Sequence, residues 1–168
     1  MNQPHEPMSA HDGEQHSPMR SLTEALALLR TVRSLRFEAR SGAGTGWDGA
    51  GAGAVAVSEP APGVVVFEEF GTWQPDVRGR AAVTFRNVFR WSGVDDVMRL
   101  EHLRFGVDQP VLLFDMAPDS AGVWREVSPH QCGEDRYTAS LGTEGGRLVV
   151  AWSIVGPRKR ESIRYTYW

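Results

Sequence analysis

The densest run of reactive side chains is HQCGEDRY, residues 130–137. An imidazole and a phenol exchange protons near neutral pH, and a carboxylate fixes an imidazole's tautomer. His130, Asp135 and Tyr137 are therefore the candidate catalytic residues of a general acid–base site. On a strand His130 and Cys132 point to one face, and a bulge at Gly133 would bring Asp135 and Tyr137 round to join them. The competing reading makes the histidine and the tyrosine hydrogen-bonded core groups on the inner face of a sheet. A nucleophilic Cys132–His130 pair is disfavoured, because side chains two apart on a strand stand roughly 7 Å from one another. A metal on His130, Cys132 and Asp135 would need a further ligand, and His102 is the only other histidine beyond the first eighteen residues.

Cations form the second group of candidates. Arg158, Lys159 and Arg160 follow a Gly156–Pro157 turn, where they can collect an anionic ligand group or pair with acids such as Glu134 and Glu161. Arg86 and Arg90 share a strand face with Thr84 and Val88, opposite Val83, Phe85, Phe89 and Trp91. His102 and Arg104 share a face with Met98 and Leu100. An arginine inside a barrel is costly unless it meets an anion, so these cations either face solvent or mark a site. A dinucleotide fingerprint is formally present in Gly44, Gly46 and Gly49, with Glu69 about twenty residues on. It fails on context: Gly51, Gly53, Pro60 and Pro62 leave no helix whose amino end could face a pyrophosphate. These glycines read as a hairpin loop leading into a strand of small side chains.

The elements that must position these groups follow from periodicity. Ser21 with Glu24 is a capping box, and Leu22, Ala25, Leu26, Leu29 and Val32 form one apolar stripe, so a helix runs from there to near Arg33. The period then changes to two with Leu35, Phe37 and Ala39. Further strands are expected near 51–58, 64–73, 81–91, 97–104, 111–116, 123–127, 130–141, 147–155 and 160–168, about ten in all. No gap between them holds a parallel crossover, so neighbours pair antiparallel. The expected fold is all-β: an up-and-down antiparallel sheet closed into a barrel, which removes its edges, with the amino-terminal helix capping one end.

Composition sets the outer bounds. With 168 residues, 41% apolar and 23% charged, the chain holds one globular domain, read as residues 19–168. Residues 1–18 contain no Leu, Ile, Val or aromatic residue and read as a disordered tail, whose His5, His11 and His16 match no zinc spacing. Eighteen Lys and Arg against 21 Asp and Glu give a charge of -3, which argues against a dedicated binder of nucleic acid or anionic membrane. A single cysteine and no visible signal peptide or apolar span make the expected address cytoplasmic, with no membrane partner.

The HxCxxDxY of His130, Cys132, Asp135 and Tyr137, followed by a tryptophan, the GPRK of residues 156–159 and the closing Thr166 and Tyr167, resembles an uncharacterised bacterial family of lipocalin-like, calycin-type barrels. FEEFG at 67–71, the stretch from Arg86 to Trp91 and the Leu113–Phe114 pair are looser echoes, and the likeness covers roughly residues 20–168. It implies that barrel shape but no activity, because the family is one of unknown function. Where such barrels often carry GxW in the first strand this chain has RSLRF, and it ends in Trp168 instead of a basic residue, which implies a changed barrel mouth. Haem-binding relatives of this shape use a histidine near the carboxyl end. None follows His130, so no cofactor is expected, although His130 or His102 would be the residues to serve.

The function expected is binding of a small, largely apolar or aromatic molecule inside the barrel. Trp91, Trp124, Trp152, Phe85 and Tyr137 would supply stacking walls, Arg86, Arg104 or Arg158 would hold a polar end, and His102 and Cys132 complete the candidate set. The alternative is a cofactor-free isomerase or cyclase in which His130, Asp135 or Tyr137 moves a proton. The chain is expected to act as a monomer or homodimer on a small molecule, with no metal.

Overall fold

The computed structural model describes residues 18–42 and 47–168. The tail histidines and the first two glycines of the dinucleotide-like pattern lie outside the described residues. Helix α1, Leu22–Thr31, starts at the expected capping box: Ser21 Oγ accepts from the Glu24 amide at 3.2 Å and the Glu24 carboxylate accepts from the Ser21 amide at 3.2 Å. Its apolar stripe buries Ala25, Leu26 and Leu29, and Val32 turns extended to end it.

Eleven strands follow: β1 Ser34–Ser41, β2 Gly49–Ala61, β3 Val64–Pro75, β4 Val83–Val94, β5 Val97–His102, β6 Val111–Pro118, β7 Trp124–Glu126, β8 His130–Cys132, β9 Asp135–Glu144, β10 Arg147–Val155 and β11 Arg160–Tyr167. All pairings are antiparallel. β11 pairs with β1, and β10 pairs with both β9 and β11, so ten strands close into a barrel. Among the described residues the chain forms the expected barrel with one helix.

Residues 130–141 depart from expectation, because they do not make one bulged strand. Gly133, at φ +62°, sits in a tight turn between β8 and β9, and His130 faces Tyr137 while Cys132 faces Asp135 across the hairpin. A bulge and a hairpin turn both ask for glycine in this conformation, and the strand available for pairing decides between them. β8 and β7 share the same side of β9; between them Glu126 accepts from the Ala139 amide at 3.0 Å, bridging the interruption. β2 also begins earlier than expected, at Gly49, and β5 stops at His102, which leaves Arg104 in the following connection.

The two ends of the barrel differ. At one end β2 to β3, β4 to β5 and β9 to β10 are joined by two-residue turns. Helix α1 lies over that end, with Leu22 against Gly93, Pro18 against Gly122, and the Met19 carbonyl accepting from Trp124 Nε1 at 2.9 Å. Beneath it Leu26, Leu29, Leu35, Phe67, Trp91, Met98, Leu100, Met116, Trp124, Leu141 and Leu148 pack into one buried cluster. At the other end the connections are longer, among them residues 76–82 and 103–110.

Candidate functional site

Among the described residues the barrel is hollow at its long-loop end. A pocket of about 360 Å³ there is walled by Phe37 of β1, Trp47 before β2, Trp73 of β3, Phe85 of β4 and Tyr165 of β11, with Asn87 as a polar lining group. Three glycines make room for these rings. A Cβ at Gly51 would collide with the Phe37 ring, one at Gly71 with Phe85, and one at Gly49 with the Trp73 indole. From Gly49 on, the glycine-rich segment is thus a strand stripped of side chains so that aromatic walls can lie against it.

Ring contacts hold the walls in place. Phe37 packs edge-on to Phe85 at 5.4 Å between centroids and tilted on Tyr165 at 5.1 Å, while Trp47 stacks on Trp73 at 5.6 Å. Trp47 is anchored through its neighbour: Asp48 Oδ1 accepts from the Ser41 amide at 2.9 Å and the Asp48 carbonyl from the Asp76 amide at 2.7 Å. Trp47 as a residue remains 60% exposed.

An ionisable group lies behind this apolar chamber. Glu69 of β3 is fully buried; its Oε1 accepts from the Tyr167 hydroxyl at 2.8 Å and its Oε2 from Asn87 Nδ2 at 3.2 Å. Burial raises the Glu69 carboxyl from 4.5 to about 7, against the opposing pull of the hydrogen bonds from Tyr167 and Asn87. Burial, reinforced by the Glu69 charge, pushes the phenols of Tyr165 and Tyr167 above their ordinary range. The indole N–H groups of Trp73, Trp91 and Trp152 are buried without an acceptor among the described residues.

Sequence reasoning did not place Glu69 or Asn87 in a site, yet a signal was present. In VVVFEEFGTW Glu69 falls in phase with Val65 and Phe67, and Asn87 falls in phase with Phe85, Phe89 and Trp91, so each is a polar residue on an apolar strand face. The two stand directly opposite each other across β3 and β4.

The expected site residues are spread over several places. His130 and Tyr137 meet edge-on at 5.6 Å between ring centroids, on the β8–β9 hairpin at the long-loop end. Asp135 is held by Lys159 Nζ at 3.0 Å and does not reach His130; Cys132 is exposed. Asp135 also fills the space in which a Cβ at Gly156 would sit, so the HxCxxDxY and GPRK segments form one joint. Arg158 is exposed, and Lys159 pairs with Asp135, with the charge of Glu161 also acting on it.

Arg86 faces outward, bonded to Glu68 at 3.0 Å and lying over the Phe70 ring, and Arg90 pairs with Glu101 at 2.7 Å. Arg104 lies over the ring of Phe105. Trp91, 2% exposed, and Trp124, 1% exposed, belong to the packed helix end. Trp152 lies inside, edge-on to Phe89 and Phe114 and tilted on Tyr165. His102 stacks on Phe89 at 4.8 Å, and burial with the Arg104 charge lowers its pKa below the ordinary 6.5. Among the described residues no three histidine, cysteine, aspartate or glutamate side chains are grouped to hold a metal ion.

A second depression, of about 520 Å³, lies on the outer face of β3 to β5, floored by Val64 and Val66 and crossed by the Arg90–Glu101 pair. It belongs to the outside of the sheet, away from the face that carries Glu69.

Fold and pocket together define a ten-stranded antiparallel β-barrel, packed solid at the helix end and aromatic-walled at the other. Residues 28–168 match the model of a family of unknown function, DUF6314, and the chain belongs to that family. No curated protein and no solved structure matches it. Among the described residues no helix is long and apolar enough to cross a membrane.

Proposed function

We propose that this protein binds one small, largely apolar or aromatic molecule in the long-loop end of its barrel, as lipocalin-like barrels hold guests in their mouths. The observation that carries the reading is the pocket of about 360 Å³ with five aromatic walls and, among the described residues, no charged lining group. That volume lies at the lower end of the range of roughly 300–1,000 Å³ usual for ligand sites, which suits one compact molecule. The net charge of -3 favours such a partner over nucleic acid, and a lone exposed cysteine suits a reducing compartment.

Trp47 and Trp73 report directly on occupancy. Titration with a panel of aromatic amines, alcohols and acids is expected to change tryptophan emission saturably for some of them, and the change should shrink in Trp73→Ala, which leaves Trp47 as the reporter at the pocket. A flat response across the panel contradicts binding.

Proton transfer by the β8–β9 hairpin is supported by one observation, the cross-strand contact of His130 and Tyr137. On that reading His130→Ala and Tyr137→Phe abolish turnover of a bound guest while leaving its affinity within a few fold; parallel loss of binding and folding makes the pair structural.

A further inference from the structure

The pocket is apolar, yet it rests on a carboxyl group that has no cation among the described residues. Glu69 takes its two hydrogen bonds from neutral donors, Tyr167 and Asn87, and no lysine, arginine or histidine among the described residues acts on it. A carboxylate buried in this way is costly unless something positive completes it. The helix end of the same barrel shows that the sequence can fill interior positions with packed hydrocarbon.

Asn87 connects the acid to the pocket. Its Nδ2 is committed to Glu69, and its Oδ1 accepts no hydrogen bond among the described residues, although Asn87 lines the chamber. A guest in the chamber thus meets an acceptor backed by an acid and surrounded by the faces and edges of Phe37, Trp47, Trp73, Phe85 and Tyr165. Aromatic walls attract a cation through their ring quadrupoles, and a carbonyl oxygen takes the N–H that a protonated amine supplies. Tyr165, which lines the chamber, has its phenol raised in part by the Glu69 charge, so the acid's field extends to the pocket wall. Of the titratable groups that interact with Glu69, Tyr165 and Tyr167 are the two, and both stay neutral near physiological pH.

Building on the pocket reading, we infer that the guest is an organic amine, bound as its ammonium form with the N–H donating to Asn87 Oδ1, the charge facing Glu69 and the apolar body against the aromatic walls. Glu69 acts as a positioning residue, since it holds the Asn87 carboxamide with its oxygen toward the guest. The inference covers amines with at least one N–H and disfavours carboxylic acids, which would set a second negative charge beside Glu69.

The test compares three probes of nearly one shape, phenethylamine, phenethyl alcohol and hydrocinnamate, by tryptophan emission and calorimetry near neutral pH. The amine is expected to bind about tenfold more tightly than the alcohol or better, the acid least tightly, and Glu69→Gln should remove most of the difference between amine and alcohol. Should Glu69→Gln not fold, the unaltered protein still decides. Amine binding must pull Glu69 towards its ionised form and release protons, seen as a heat that varies with the ionisation enthalpy of the buffer. Equal binding of amine and alcohol, or amine binding without proton release, overturns the amine assignment and leaves the pocket reading standing. Failure of all three probes to bind overturns both.

Discussion

Glu69 is the described acid whose ionisation couples folding to pH near neutrality. Its carboxyl titrates at about 7 in the folded protein against 4.5 when free, so between those values the folded state keeps a proton that the unfolded state has lost. Stability therefore falls as pH rises through this window and levels off above it, by about 3 kcal/mol in all. Glu69→Gln is expected to flatten the slope and to be more stable than the parent above neutrality, as urea denaturation at a series of pH values will show; a variant with an unchanged slope contradicts the burial argument. His102 works in the opposite direction, since its lowered pKa favours the neutral ring and its contribution is lost as pH falls below 6.5. Of this chemistry the sequence made part legible. The strand phase of Glu69 and Asn87 can be read from their neighbours, but the Tyr167 hydroxyl arrives from 98 residues away and only barrel closure brings it there. His130, Asp135 and Tyr137 stood out in the sequence because groups close along a chain resemble a site; in the fold Asp135 turns to Lys159.

At the scale of elements, each end of the barrel has its own sequence device, and the two should respond separately to mutation. Ser21→Ala removes the helix cap at the packed end; it is expected to cost about 1 kcal/mol of stability with ligand affinity unchanged, by thermal melting and emission titration. Gly51→Val works on the other end, where the added side chain must displace the Phe37 ring. It should destabilise by roughly 1–3 kcal/mol and also weaken binding at the pocket wall. Strand number and antiparallel order were readable because period-two patterning and short connections survive any tertiary arrangement. The β8–β9 hairpin was not, since Gly133 serves a bulge or a turn equally well and the choice depends on how β7 and β8 divide the edge of β9. The glycine-rich start of β2 was legible as small side chains but not as a bed for aromatic rings, because those rings come from three other strands.

For the whole molecule, the central claim is an asymmetric barrel with a filled helix end and a hollow end that receives a guest. Closure was legible from the need of ten antiparallel strands to leave no edges. Which half is filled was not, because Phe85 and Trp91 share one face of β4 and differ only in how far along it they lie. The six tryptophans sample both halves. Trp47 and Trp73 line the pocket, and Trp91 and Trp124 lie in the packed cluster. Nitrogen-15 NMR of their indole N–H signals during titration with phenethyl alcohol, a neutral probe, tests the claim most directly. Saturable shifts of the Trp47 and Trp73 signals with Trp91 and Trp124 stationary are the expected result. Shifts confined to Trp91 and Trp124, or no shift of any indole at saturating probe, would contradict it.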